Sequence, residues 1–302
     1  VKFGWHDINN RTNVNIRKIV CPVVYLDFLS TYCTVNCLMG LWRFVIACEI
    51  RVVEHSQHKV ARFLRTLTPA ALFKRKTWKR MIGFVKIAPN GDILPIRSRF
   101  SAASNDWQLG TNYVYAKTED ALWFSIPDVV ASVLLTGRIP EILDAFMIEA
   151  HGTLPTLTPT KLRGVAEVDP ARDDFFRVIV EERLRVSSRR DLSDIERHRL
   201  EKALKILASA TSYGIWAQMD RVEDEHKIDV TCHGIDSEPF TCRVAHPDVP
   251  GEFCFPPLAS LITGGARSML ALLESAVYTN WAEPTSWKIL IQWPLSLPSM
   301  VA

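Results

Sequence analysis

The sequence predicts an α+β fold: an antiparallel sheet and a separate two-helix hairpin. Three observations predict it. Residues 13–29 alternate and then run apolar and β-branched, as strands entering a core do. The segment Val85–Leu94 reads as a β-hairpin turning on Asn90-Gly91. Residues 169–213 carry two helical stretches, each opening on a capping residue and joined by a short polar turn.

The 302 residues suffice for one large domain or two smaller ones, and 48% hydrophobic content is that of a folded chain, not a disordered one. A net charge of +3 is too small to name a partner, because clustering matters more than the total. The first residue is Val1 and no basic segment leading into an apolar one follows, so no signal peptide is expected, and the chain reads as a piece of something longer. The longest apolar run, Cys33–Ile50, is broken by Asn36, Arg43 and Glu49; it reads as a buried helix and no membrane association is expected. Seven cysteines, an odd number without a Cys-x-x-Cys, point to reduced thiols and a cytoplasmic setting.

In chain order, the apolar run Val20–Leu26 is a strand that ends on Asp27. Residues 34–66 have helical spacing. Residues 127–149 read as helices punctuated by Gly137 and Pro140. His151–Thr160 is a Pro/Thr/Gly-rich connection, and Val165–Val168 a short strand. Asp169-Pro170 has the form of a helix start, with Asp as cap and Pro in the first turn, and that helix runs to about Val186. Ser187–Asp191 is turn-like. Ser193 and Glu196 make a capping box for a second helix from about Asp194 to Tyr213, antiparallel to the first. Residues 215–245 are strand-like with loops, and Pro256-Pro257 opens a helix over roughly 258–278.

Within the second helix of the hairpin, Lys205, Ser209 and Tyr213 are spaced i, i+4, i+8 and so share a face, while Leu200, Leu204 and Leu207 fall on another that can be buried. Arg183 can add a guanidinium from the first helix. A cation, a hydroxyl and a phenol beside a guanidinium suit a polyanion such as a triphosphate. The same residues also fit a solvated hairpin laced with ion pairs, since Glu181, Glu182, Glu196 and Glu201 are interspersed.

Tyr25–Thr34, reading Y-L-D-F-L-S-T-Y-C-T, closely resembles motif A (D-x-x-S-L-Y-P) of family-B DNA polymerases. Lys205–Gly214 resembles motif B (K-x-x-x-N-S-x-Y-G), preceded as in that family by a helix with Glu181-Glu182-Arg183. Ser260–Arg267 resembles the T-x-x-x-R helix that leads into motif C. The segments stand in family order and the likeness spans roughly residues 13–278. It implies a palm over residues 1–168 with an insertion, a fingers hairpin over 169–213, a palm continuation over 214–278 and an aberrant tail over 279–302. It further implies that Asp27 is the catalytic carboxylate and binds Mg²⁺. Phe28, Leu29 and Ser30 would cradle the triphosphate, and Tyr32 would lie under the sugar and exclude a 2′-hydroxyl. Arg183 and Lys205 would grip the phosphates, Tyr213 would lie near the nascent base pair, and Ser209 would be among the nucleotide-binding residues. The implied partners are a DNA primer–template and a dNTP, and the implied reaction is in-line attack of a primer 3′-oxygen on the α-phosphate, assisted by two metals.

The chain departs from that pattern in places. Cys33 stands where the family has Pro, Thr31 where it usually has Leu, and Ser209 where it has Asn. Ile8–Thr12 lies where many members have a Gly-Gly pair. Motif C, the source of the second metal carboxylate, is absent: after the last helix the chain reads Thr279-Asn280-Trp281 and on to Pro294 with no acidic pair. Reverse-translated and read in the frame that begins on the third base of each codon, that stretch accommodates G-G-T-Y-I-M-E-D-T-D-S-M-A, which contains the motif. A frameshift near residues 278–281 is therefore expected. With one carboxylate, the chain alone is expected to be inactive.

Phe73–Arg80 is a basic cluster with aromatics that fits template or primer phosphates as well as it fits a solvated surface. Cys232, His233, Cys242, His246 and Cys254 lack the spacing of a zinc ribbon or finger. Asp106, Asp128 and Asp220 read as caps or turns, and no phosphate loop or dinucleotide fingerprint occurs. Two other function classes fit the sequence: a non-catalytic nucleic-acid-binding remnant, and a structural or interaction domain.

Overall fold

Gly40 decides the first departure from the pattern the sequence predicts. The computed structural model describes residue 28 and residues 30–88, 90–99, 107–113, 122–162, 164, 166–221, 223, 226–232, 238–245 and 248–280. Of the strand-like stretch expected over residues 13–29, all but Phe28 lies outside them, Asp27 and Leu29 included, as does the tail beyond Asn280. In place of one helical stretch over 34–66, helix α1 (Thr31–Met39) stops at Gly40, whose φ of 69° is the left-handed turn that glycine adopts at little cost. The short helix α2 (Trp42–Val45) follows, then strand β1 (Glu49–Val53), rich in β-branched residues, and only then helix α3 (Gln57–Arg65).

Short helices α4 (Pro69–Leu72) and α5 (Arg75–Trp78) and a 3₁₀ turn at Lys79–Met81 lead to strand β2 (Gly83–Ala88). Strands β3 (Ile93–Arg99), β4 (Trp107–Tyr113) and β5 (Leu122–Ser125), helix α6 (Ile126–Thr136) and strand β6 (Glu141–His151) come next. The main sheet is antiparallel, in the order β1-β6-β2-β5. Residues 127–149 are thus not helical throughout: Gly137, at φ 67°, ends α6, and the next segment joins the sheet between β1 and β2. An eleven-residue strand bonded on both edges outweighs its weak helical spacing.

The turn at Asn90-Gly91 is present, with Gly91 at φ 72° and the Asp92 carboxylate accepting from the Asn90 amide at 2.6 Å. The two strands beside it do not pair. Both edges of β2 are taken, by β5 and β6, so β3 pairs with β4 in a ladder of its own. Val85 and Ile87 of β2, Phe124, Ala145 and Met147 face a core shared with Val60 and Phe63 of α3 and Val129 and Val130 of α6.

Strands β7 (Thr160–Leu162) and β8 (Ala166–Val168) form a small ladder ahead of the helical hairpin. Its first helix, α7, spans Phe175–Ser188. Asp169-Pro170 does not start it: the Asp169 carbonyl accepts from the amides of Arg172 and Asp173 in a separate turn, and Asp174 caps the helix by accepting from Arg177. Packing explains the delay. Trp42 stacks on Phe175 and meets Phe176 edge-on, which sets where the helix begins. The second helix, α8 (Asp194–Ser212), opens on the expected Ser193/Glu196 capping box. Cys33 of α1, Phe176, Ile179 and Val186 of α7, and Leu204 and Ala208 of α8 form a second core, with Leu200 and Leu207 packed against it.

A 3₁₀ turn at Gly214–Ala217 precedes β9 (Met219–Arg221), β10 (Ile228–Cys232), β11 (Phe240–Val244) and β12 (Asp248–Pro250), paired as β10–β11 and β9–β12. Helix α9 (Pro256–Asn280) then crosses the core. A Cβ on Gly264 would lie 2.3 Å from the Ser125 hydroxyl, and one on Gly265 2.5 Å from Val35 Cγ1. Those two glycines let α9 touch α6 and α1 directly. The whole is an α+β fold with antiparallel sheets. Among the described residues, no helix is long and apolar enough to cross a membrane.

Candidate functional site

The start of α1 is where residues from three distant segments meet. Ser30 sits at the helix N-cap with φ 50° and ψ 50°, a left-handed conformation that a serine rarely adopts. It makes no capping bond, so its hydroxyl is left over and accepts from Arg183 Nη1 at 3.1 Å. Thr31 tightens the same turn by donating its hydroxyl to the Phe28 carbonyl at 3.1 Å, and Phe28 packs on the main core.

Arg183 comes from α7, which is held beside α1 by the second core. Its acidic neighbours are engaged elsewhere: Glu181 with Arg177 and Arg185, Glu182 with Arg185. Among the described residues Arg183 makes no ion pair, so the half-buried guanidinium keeps donors to spare beside the start of α1, whose first amides have no partner within the helix. The first turn of α1 carries no acidic side chain. The electrostatics favour an anion.

One turn into α1, the Tyr32 ring stacks on Tyr213 with centroids 5.2 Å apart and planes 27° from parallel. Asn36 anchors the pair. Its side-chain amide donates to the Tyr32 carbonyl at 2.8 Å and to the Ser212 carbonyl at 3.0 Å, tying the end of α8 to α1. Asn36 is buried, and its own Oδ1 has no partner among the described residues. Burial raises the Tyr213 phenol above its ordinary pKa, the neighbouring Tyr32 adds to this, and Arg267 opposes it. Burial likewise raises the Cys33 thiol, whose Sγ donates to the Ala208 carbonyl at 3.5 Å, against the lowering by Ser212 and Arg183.

The expected shared face of Lys205, Ser209 and Tyr213 does not form. Tyr213 leaves helical geometry, at φ −149° and ψ −56°, and turns inward. Lys205 and Ser209 stay exposed on α8, and neither side chain bonds to Ser30, Tyr32 or Arg183 among the described residues. No family model, curated protein or solved structure matches the chain. The site therefore stands on its own geometry.

Two structural relationships behind the site are not visible in the sequence. Asn36 registers there only as an interruption of an apolar run, which is itself the signal of a buried polar group with a task. Asp128, which reads as a cap or turn, lies in the first turn of α6 behind the Ser125 cap and is buried against Arg267 of α9. Thr263, one turn before that arginine, accepts from its Nη2 at 3.5 Å.

For a metal ion the described part of the site is a poor match. It offers a guanidinium, hydroxyls and phenols. No group of three or more His, Cys, Asp or Glu able to hold a metal occurs among the described residues. The Mg²⁺ expectation rests on Asp27, which lies outside them, as do His233 and His246 of the Cys/His set.

Proposed function

We propose that the chain is the palm and fingers portion of a family-B-like DNA-directed DNA polymerase, and that the Ser30–Tyr32–Arg183–Tyr213 cluster receives the incoming dNTP. The observation that supports this most is the bond from Arg183 to Ser30. It joins the fingers-like hairpin to the motif-A-like turn, two segments singled out independently in the sequence.

In this reading Arg183 and the first amides of α1, which a helix start leaves without intrahelical partners, take the triphosphate's negative charge. The Tyr32 ring lies under the sugar, backed by Tyr213 so that it cannot swing away to admit a 2′-hydroxyl. Lys205, two turns before the end of α8, is a second cation that reaches the phosphates only when the hairpin closes on them. Asp27 would carry the catalytic Mg²⁺, which supplies charge neutralisation and activation of the attacking oxygen. One carboxylate does not hold the two ions such transfer uses, so the chain as it stands binds substrates without joining them.

Equilibrium titration of the full chain with a fluorescent dNTP, in the presence of a primer–template and Mg²⁺, tests the site. Arg183→Ala is expected to weaken binding at least tenfold, the loss of one or two charge-assisted bonds. Tyr32→Ala is expected to erase any preference for the deoxy over the ribo form. Wild-type affinity and preference in both variants would sink the proposal.

A further inference from the structure

Residues 55–91 hold nine Lys and Arg and no Asp or Glu, whereas the rest of the chain carries 27 Lys and Arg against 33 Asp and Glu. The chain's positive charge is therefore concentrated in one segment, on α3, α5 and the 3₁₀ turn that Arg80 joins to α3.

Helix α3 exposes His58, Arg62 and Arg65 at i, i+4 and i+7, one stripe, with Lys59 beside it. The Arg80 guanidinium lies 4.6 Å above the Phe63 ring, pinning the 3₁₀ turn to α3. Lys74, Lys76 and Lys79 continue the surface along α5 and the turn, all exposed. At its far end Arg75 donates through Nε and Nη2 to the Cys37 carbonyl, at 3.1 and 2.8 Å, so the patch abuts the last turn of α1.

These cations are not neutralised at home. Arg75 pairs with Asp174 at 3.6 Å, yet among the described residues Lys59, Arg62, Arg65, Lys74, Lys76 and Lys79 make no ion pair. In the helical hairpin Arg177, Arg185, Arg189 and Arg197 each face an acid, while Arg183, Arg190, Arg199, Lys202 and Lys205 make no ion pair among the described residues; what sets 55–91 apart is that it holds no acid of its own. Six unpaired like charges in one short segment with no acid among them repel one another, and a partner bearing closely spaced negative charge removes that repulsion.

We propose that this surface binds the phosphate backbone of a nucleic-acid duplex. Choosing a primer–template as that duplex rests on the polymerase reading above; the electrostatic footprint does not. The spacing suits it. Helix α1 spans about 13 Å at 1.5 Å per residue, with Ser30 before its start and the patch at its end. Duplex DNA carries about one charge per 1.7 Å of axis, so a terminus held near Ser30 brings several phosphates within reach of Lys79, Lys76 and Lys74. Phe73, 76% exposed beside these lysines, offers a ring for a frayed or single-stranded base. A membrane surface fits less well, because the apolar side of α3, Val60, Phe63 and Leu64, is committed to the core and leaves no face to insert.

The test is fluorescence anisotropy of the full chain with a labelled recessed primer–template, repeated from 50 to 300 mM salt. Two triple variants are compared with wild type: Lys59, Arg62 and Arg65→Gln on α3, and Lys74, Lys76 and Lys79→Gln on α5 and the turn. Each is expected to bind at least tenfold more weakly near 100 mM salt, and to lower the slope of log K against log salt by about 2 to 3, roughly one for each phosphate no longer neutralised. The side chains are exposed, and Lys74, Lys76 and Lys79→Arg, which keeps the charge, is expected to bind like wild type; that separates an effect of charge from a failure to fold. Unchanged affinity and slope in both Gln variants overturn the proposal. So does equal or tighter binding of wild type to phosphatidylserine vesicles, abolished in the same variants, which would make the patch a membrane surface. Arg183→Ala is expected to leave duplex binding and its slope intact. If that variant also keeps full dNTP affinity, the polymerase reading fails while the duplex surface stands.

Discussion

The side-chain amide of Asn36 donates to the Ser212 carbonyl at 3.0 Å, joining points of the chain 176 residues apart. The same amide holds the Tyr32 carbonyl. Two acceptors fix which end of the side chain is nitrogen, since only the NH₂ donates. Asn36→Asp replaces both donors with a buried negative charge and is expected to be the most destabilising change, by about 3 kcal/mol or more. Asn36→Ala strands the Ser212 carbonyl at about 1–3 kcal/mol. Asn36→Leu removes the unpartnered Oδ1 as well and refills the space, so it should cost less than Asn36→Ala. Urea midpoints for the three variants check the order, and a Leu variant less stable than the Asp variant refutes it.

A consequence of the tyrosine stack appears at high pH. The Tyr213 phenol is held above its ordinary value near 10 by burial first and by Tyr32 second. The folded state thus keeps a proton that the unfolded chain gives up. Its contribution to stability is fully present below pH 10 and is lost as the pH rises through the folded value. Ultraviolet difference titration is expected to show one late-titrating tyrosine, absent in Tyr213→Phe. Arg267 lowers the same pKa, so Arg267→Met should delay it further. A wild-type chain whose tyrosines all titrate together near pH 10 rules this out.

Gly264 supplies a prediction whose sign differs from the usual expectation. In an exposed helix interior, Gly→Ala stabilises by about 1 kcal/mol. Here the added methyl meets the Ser125 hydroxyl at 2.3 Å and the Asp128 carboxylate at 3.1 Å. Ser125 is held in place, since it caps α6 and donates to Asp128 at 2.7 Å. Gly264→Ala is expected to destabilise by about 1–3 kcal/mol, because α9 must move off α6 and stretch the buried Asp128–Arg267 pair. Thermal or urea unfolding decides it; a variant more stable than wild type contradicts the close approach.

What is legible in the sequence is what is encoded locally. The start of α8 depends on Ser193 and Glu196, three residues apart, and the sequence places it correctly, as it does the Pro-opened α9. The start of α7 is displaced from its expected position because Asp169 and Asp174 are both competent caps, and the choice between them is made by Trp42, far away in sequence. Strand β6 resembles a helix in sequence because its identity lies in two neighbours rather than in its own spacing. At the site, Ser30, Tyr32, Arg183 and Tyr213 do meet. The expected face of Lys205, Ser209 and Tyr213 fails because the helix ends one residue before Tyr213, and that end is set by the Asn36 bond. Asp128 is hidden for a like reason: one residue can serve a local turn and a distant cation, and only the turn is visible in sequence.

The missing carboxylates lead to the last prediction. If the residues from Trp281 onward are out of frame, the gene read one base over should encode Asp-Thr-Asp, and resequencing the region decides that directly. A chain rebuilt in that frame would place new acids just beyond α9, the helix whose Arg267 is locked to Asp128 and whose Gly265 packs on α1. The first link ties the middle of α9 to α6, and the second ties it to α1, the helix that follows Asp27 in the sequence. The repaired chain, extended far enough to grip a duplex, is expected to show Mg²⁺-dependent primer extension that is abolished by chelation and by Asp27→Ala. Arg183→Ala should raise the KM for dNTP more than tenfold, the effect of removing a charge-assisted bond to the phosphates. Extension that survives Asp27→Ala would remove Asp27 from the site. A gene without Asp-Thr-Asp in any frame would instead leave the chain as a nucleic-acid-binding remnant, with the 55–91 surface as its remaining function.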